Sequence, residues 1–589
     1  MTGSLTVMGN VTNSGTITLS TASGGDIYVG GNWTRSGGTF NNSSRAIFFN
    51  GTGTQVISVT GGGSISFDYL VLNKTSGSVQ LSSSPATNAT VTASTGDVLQ
   101  LLNAGSLDLN GQTMTLSGNG GIISLNGGSR SITSSVANGT FRISGSKTVS
   151  SGGSLTFGSN VIVDLTNSMD FGNGTSTING TLQISSGGSV NTNAPAYGGA
   201  ATLVYNSGGT YNRSVEWPMT SGPSNVTISG STTLNLLSSR TISGLLTLNA
   251  GRIDIGSNNL TLPSSGSITG SFGSSNMIVT SGTGMLLIQS IGAGTVFPIG
   301  TSALTYNPIT ISGGGAFSAR VGTSVNTPSD PNKVVNRQWD VSGSGSATIT
   351  LQWNSSEGAS QFDPMDPVVI GHYVGSTWEE TTAIVSGSGP FTAQATFSSF
   401  SPFAVGNAGA LPVELTHFDG KKDGRNVALS WATATETNNS HFDLQRSADS
   451  RQWQTIGTVT GHGNSLEVRE YQYTDRQPLP GMNYYRLKQV DFNGRFEYSR
   501  VVSVAFGPDG SKPSLSPNPA GSELNFSLPE EDKEAPLRAI VYDRAGKACL
   551  QAPLTGNTLD IGGLPPGVYF VQLVDDNRRV LVQDRFVKL

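Results

Sequence analysis

The residues of this chain that could do chemistry are few and lie far apart. Arg142 and Asp164 stand 22 positions apart, and Lys147 and Asp170 stand 23 apart, in a region otherwise almost without charge. A carboxylate beside a cation is what a polysaccharide-cleaving site uses for proton transfer, often with further carboxylates that hold calcium. Two carboxylates are too few for such a calcium cage. The same spacings are close to one turn of a stacked-coil protein. On that reading each pair is a surface ion pair between neighbouring coils and is worth little. Trp33 and Trp217 could stack on sugar rings or fill the corners of coils.

His372, His417, His441 and His462 lack the i, i+4 or short-loop spacing that builds a zinc site, and they read as surface or internally satisfied side chains. The single cysteine, Cys549, permits neither an internal disulfide nor a cysteine metal cluster, and in its apolar strand it reads as a small buried hydrophobe. There is no G-x-S-x-G elbow and no phosphate-cradling G-x-x-x-x-G-K-[ST] loop. The chain is therefore expected to have no catalytic residue, no metal site and no cofactor, and not to be an enzyme.

Short strands must position whatever these residues do. Residues 1–280 are dominated by Gly, Ser, Thr and Asn between brief apolar alternations such as Ala46-Ile47-Phe48-Phe49, Tyr69-Leu70-Val71-Leu72 and Met114-Thr115-Leu116. Asn103-Ala104-Gly105-Ser106-Leu107-Asp108-Leu109-Asn110 returns as Asn249-Ala250-Gly251-Arg252-Ile253-Asp254-Ile255-Gly256, and the apolar rhythm continues to Leu116 and Leu262 at the same offset of 146. Repetition on that scale, with almost no helix signal, predicts an all-β chain whose first part is a parallel β-helix-like rod. Coils of about 22 residues would number about 13, and at ~4.8 Å per coil the rod would be roughly 60 Å long. A string of antiparallel sandwiches is the alternative.

Three β-sandwich domains are expected to follow. Residues 281–407 carry Trp339, Trp353 and Trp378 as core anchors and would cap the open end of the coils, with Glu379-Glu380 on a solvated strand edge. Asn407-Ala408-Gly409-Ala410 reads as a linker. In residues 411–507, Val427-Ala428-Leu429-Ser430-Trp431 alternates with Trp431 inward, and Tyr484-Tyr485-Arg486-Leu487 opens a later strand. Residues 513–589 show six strand-like runs, entered through Ser516-Pro517-Asn518-Pro519-Ala520, where two prolines favour extended backbone.

Composition agrees with an all-β protein. Gly 78 and 12% charged residues fit a turn-rich chain, a net charge of −5 with pI near 5.5 gives no basic footprint for nucleic acid, and no apolar run is long enough for a transmembrane helix. The first residues have neither a basic start nor an apolar stretch, so no signal peptide is present, and the chain is expected to be a fragment of a longer one.

Three motifs in the last segment carry a resemblance. Pro517-Asn518-Pro519, then Tyr542-Asp543 with Gly546-Lys547, then Leu564-Pro565 with Gly567 and Tyr569, resemble the type A C-terminal sorting domain of type IX secretion substrates. The resemblance implies a domain that carries a folded cargo across the outer membrane, and a chain that is secreted or displayed on the outer cell surface. It also implies the type IX secretion machinery as a partner. Residues 411–507 resemble the fibronectin type III-like modules that commonly precede such domains, on Leu411-Pro412-Val413-Glu414-Leu415, Trp431 and Tyr484-Tyr485-Arg486-Leu487. Gly31-Asn32-Trp33-Thr34 and residues 46–58 resemble repeat segments of large secreted surface proteins. The expected role is that of a non-enzymatic adhesin or structural rod, with surface glycans or environmental polysaccharide as its binding partner. The alternative is a carbohydrate-binding or polysaccharide-cleaving protein with its site on the β-helix.

Overall fold

The computed structural model is all-β and describes residues 3–589 apart from 174–175, 411–414, 425, 434–435, 466–467, 493, 495, 507–513, 529–535, 555 and 577–579. Leu411-Pro412-Val413-Glu414 thus lies outside the described residues. Two compact units are present, Met1–Pro412 and Val413–Leu589.

The first unit opens as a stack of short strands, three to a coil, each paired in parallel with its counterpart one coil on. Among the described residues, two faces carry nine strands each and the third carries ten. Alternation explains the arrangement: in Thr113–Leu116, Met114 and Leu116 are fully buried while Thr113 and Thr115 are half-buried on the outside. Corners are turned by residues that tolerate the left-handed region, as at Asn110 and Gly111, with φ of 47° and 79°. Asp108 Oδ1 accepts the Asn110 amide at 2.9 Å there, and Asp254 Oδ1 accepts the Gly256 amide at 3.0 Å in the repeated motif.

The repeated motif builds the same corner but on a different face. Met114 lies on the third face, and six rungs along that face lead to Leu246; its counterpart Leu260 lies two faces further round. Inward apolar rhythm, rather than a fixed coil length, is what the motif conserves between the two sites. The first two faces end at Ser189–Val190 and Ala196–Tyr197, and new sheets take over from Thr210–Asn212 and Arg240–Thr241, while the third face runs through without a break.

Two lysines lie inside the coils. Lys74 Nζ donates to Gly51 O at 2.6 Å and Gln55 Oε1 at 2.8 Å; Lys147 Nζ donates to the carbonyls of Gly118, Gly145 and Ser146. Burial lowers both pKa values to about 8. An unfolded lysine keeps its proton up to its ordinary value of 10.5, so between 8 and 10.5 the unfolded chain binds more protons and stability rises with pH. Melting temperatures of the protein and of a Lys74→Met/Lys147→Met variant, taken across that window, should show a steeper rise for the parent. Equal slopes would mean that these lysines are not desolvated.

The rod passes into a sandwich without a break. Leu286–Ile288 pairs in parallel with Leu260–Leu262 on one side and antiparallel with Phe317–Gly322 on the other, so the last coil's open edge becomes a strand of the next sheet. Apolar residues from Val11 to Val405 form one continuous core. Residue 280, where composition changes, therefore lies within shared sheets. Trp339 and Trp353 sit in that core, Trp339 donating to Asn307 O at 3.0 Å and Trp353 stacking on Phe391. Trp378 does not join them: it belongs to a smaller cluster with Val334, Val369 and Ala410 and donates to Asn326 O. Glu380 is not merely solvated, since both of its carboxylate oxygens accept the Gly409 amide.

In the second unit, Leu415–Asp423, Asn426–Thr433 and Arg469–Asp475 form one antiparallel sheet, and Gln454–Ser465, Glu436–Ser447, Gly481–Asp491 and Val502–Phe506 form the other. Phe496–Tyr498 also pairs with Gly481–Asp491, beside Val502–Phe506, so the described strands make a three-stranded sheet packed on a five-stranded one; this is a sandwich of the fibronectin type III-like kind, with Trp431 buried at its centre. Tyr485, near the start of its strand, donates its hydroxyl to Asp475 at 2.9 Å. Ser514–Ser516, Glu523–Ser527 and Thr558–Asp560 then form a three-stranded sheet. Ala548–Pro553, Leu537–Tyr542, Gly567–Asp575 and Val580–Lys588 form a four-stranded one. A separate apolar cluster that includes Leu524, Phe526, Val541, Val571 and Phe586 gives this last domain its own core.

Candidate functional site

Of the two charged pairs that spacing brings together, one forms. Arg142 lies opposite Asp164 on the third face, and Nε is 2.8 Å from Oδ2. Asp164 is nearly buried, and its other oxygen accepts from Gln183 and Ser185, which leaves it saturated by its own neighbours. Lys147 and Asp170 do not meet. Lys147 is in register with Met169 and points inward, whereas Asp170 faces Thr148 on the outside and accepts from Gly172 N and Asn193 Nδ2. One residue of slip puts the two on opposite sides of the strand. Trp33 and Trp217 are buried and cannot stack on a sugar.

What the third face presents outward is a ladder of hydroxyls. Ser66, Thr90 and Thr115 follow one another at one end, and Thr227, Thr247 and Thr269 at the other, with Arg142, Asp164, Gln183 and Val204 between them. On the first face Tyr28 and Phe48 stack outward, with ring centroids 4.4 Å apart. The alternation of Ala46-Ile47-Phe48-Phe49 marks Phe48 as outward once Ile47 and Phe49 are taken as core, and this was the available signal for that pair.

The motif residues of the last domain are all brought into one small sandwich. Asn518 acts as a strand substitute: its Nδ2 donates to Arg585 O at 3.0 Å and its Oδ1 accepts Val587 N at 2.9 Å. Flanked by Pro517 and Pro519, which offer no amide, it covers part of the outer edge of the last strand. Asp543 Oδ1 accepts the amides of Ala545 and Lys547 at 2.9 and 3.0 Å, and Gly546 takes φ 76° to close that turn. Tyr542 and Lys547 remain accessible at its two ends. Leu564 is buried. Tyr569, close to Gly567, donates to Pro565 O at 2.9 Å and stacks on Phe586. Cys549, expected inside, is exposed: Ala548–Pro553 is an edge strand, and alternation turns Leu550 and Ala552, not Cys549, toward the core.

Sequence reasoning missed the buried carboxylates. Glu436 accepts from Thr433, Asn439, His462 N and Tyr471. Burial alone would raise its pKa, but these hydrogen bonds hold it below the ordinary value. Glu216, in the irregular loop where the first two faces are interrupted, accepts from Ser214 N and Tyr205, and burial raises its pKa. Both are sealed from solvent and read as structural. His372 is buried against Phe403 and 3.8 Å from Glu379, and burial lowers its pKa. Among the described residues no three His, Cys, Asp or Glu side chains are grouped to hold a metal ion, and no helix is long and apolar enough to cross a membrane.

Residues 514–588 match the family described as the secretion system C-terminal sorting domain. No curated protein matches the chain. Solved structures that resemble it include the FN1–FN3 domains of chicken CNTN1, at 11% identity and a TM-score of 0.15, covering 42% of this chain and 99% of that one. The fibronectin(III)-like modules of Clostridium thermocellum CbhA resemble it at 14% identity and a TM-score of 0.13, covering 30% and 93%. Dimeric latent PorU from Porphyromonas gingivalis does so at 10% identity and a TM-score of 0.14, covering 46% and 34%. Identities and scores this low say nothing of activity. With its motifs seated in one sandwich and its sequence matched from end to end, the segment 514–588 is a type IX C-terminal sorting domain, and the chain that carries it is a secreted or cell-surface protein.

Proposed function

We propose that this chain is a non-enzymatic surface rod that binds glycans along its third face, presented outside the cell by its sorting domain. The observation that supports the reading is the unbroken ten-stranded face, on whose outward row hydroxyls come in two runs of three at ~4.8 Å steps, with a saturated ion pair between the runs. Ser, Thr, Asn and Gln on a rigid sheet can hydrogen-bond a long polar chain at many weak points, and multivalent contact turns such weakness into retention. The stacked Tyr28–Phe48 pair adds an aromatic surface of the kind sugars pack on.

Incubating the full chain with an immobilised glycan array, and scoring retention together with released product, tests this. Retention without cleavage is the expected result. New reducing or unsaturated ends would replace the rod with an enzyme and direct attention to Asp164, and silence in both readouts would leave a structural spacer.

A further inference from the structure

We propose that the outward side of the four-stranded sheet in the sorting domain is the surface read by the export machinery. Its occupant would be a protein component presenting an apolar surface edged with carboxylates. The inference rests on the sorting-domain assignment and adds to it the question of which atoms are touched.

Several of the motif residues are committed to the fold, although Tyr542 and Lys547 stay accessible. Leu564 and Tyr569 are buried, Asn518 is spent on bracing the last strand, and Asp543 is spent on its turn. They hold the domain in shape, and a partner must recognise what the resulting fold exposes.

The two outer faces differ in kind. The three-stranded sheet turns Ser514, Ser516, Glu523, Asn525, Ser527 and Asp560 to solvent, an ordinary polar face. The four-stranded sheet turns out Ile540, Tyr542, Val568, Phe570 and Val574, with Gln572 among them accepting from the Tyr542 hydroxyl, while the strand neighbours Val541, Tyr569 and Val571 point into the core. Tyr542 lies directly opposite Phe570, and Phe570 and Val580 remain 42% and 47% exposed. Apolar side chains grouped on one sheet face are a liability for a secreted protein unless something covers them.

Charge narrows the partner. The outward positions of these four strands, among the described residues, hold Arg538 and Arg585 and no carboxylate; Arg585 lies directly opposite Phe570. An apolar patch with cations beside it is complementary to an apolar patch with anions beside it. Such an arrangement orients the encounter through charge and gains affinity from the apolar centre.

The test uses the full chain fitted with an export signal, in a cell that has type IX secretion, with thermal melts of each purified variant to confirm folding. Ile540→Ser/Phe570→Ser removes the apolar centre, and Arg538→Glu/Arg585→Glu reverses the rim. Asn525→Ala/Ser527→Ala alters the opposite face as a control. Both altered-face variants should fold and reach the surface or medium about tenfold less than the parent, equivalent to the loss of one good contact, while the control is exported normally. Normal export of both folded variants would overturn the proposed face and leave the sorting role standing. Equal export of the parent and a chain lacking residues 514–588 would overturn both.

Discussion

Removing residues 514–588 from a signal-bearing form of the chain should leave nearly all of it behind the outer membrane, where the intact chain reaches the surface or the medium. Truncation ordinarily confounds loss of address with loss of fold, and here the cores separate the two. The sorting domain's buried residues form their own cluster, which shares no member with the cluster around Trp431 or with the rod's core. Cutting in the 507–513 segment therefore removes one complete hydrophobic core and leaves the core around Trp431 whole. Melts of the remaining chain should match the corresponding transitions of the parent. If the truncated protein is found outside the cell in parental amounts, the domain does not direct export.

How much of this was legible depends on whether a feature follows from local alternation or from register. Alternation alone marks Leu107, Met114, Ile253 and Leu260 as inward, and all four are fully buried. Turn chemistry alone picks out Asp543 and Gly546, and the structure shows them closing one turn. Register is another matter. Arg142 and Asp164 meet because their spacing equals the local coil, whereas Lys147 and Asp170 miss by one position, and in a strand one position exchanges inside for outside. Coil length varies from turn to turn, set by loops at the corners that no residue pattern dates in advance. The same limit explains Cys549, whose strand is apolar in composition but lies at a sheet edge, and Trp378, which packs against the loop carrying Val325 and Asn326 in a cluster apart from Trp339.

The rod's junction with its cap shows why composition misplaces a boundary. Charge and aromatic content rise after residue 280, but the parallel pairing continues through Ile278–Val279 to Ile299–Gly300, and only Leu286–Ile288 converts it to antiparallel pairing. A stack of identical rungs has no natural end, because each last strand offers unpaired amides and carbonyls to whatever comes next. Here the chain itself supplies the next strand, Phe317–Gly322, and the pairing direction flips because that strand returns from the opposite side.

Replacing Trp431 with Ala should cost the fibronectin-like module about 3 to 5 kcal/mol. The ring is fully buried, stacks on Tyr471 at 5.4 Å, and meets Phe442 and Phe418 edge-on at 5.5 and 6.4 Å. Alanine would leave a void bounded by three aromatic rings that are themselves fixed by strands on both sheets, so little collapse can offset it. The loss should also spread, because Tyr471 donates its hydroxyl to Glu436, and a tilted Tyr471 leaves that buried carboxylate one donor short. Trp431→Phe keeps the stacked ring and should recover much of the loss, which distinguishes a packing role from damage to the backbone. Denaturant melts of the full chain, followed through Trp453 in the same module, provide the measurement. A loss below about 1 kcal/mol would mean that Trp431 is not the anchor of that core.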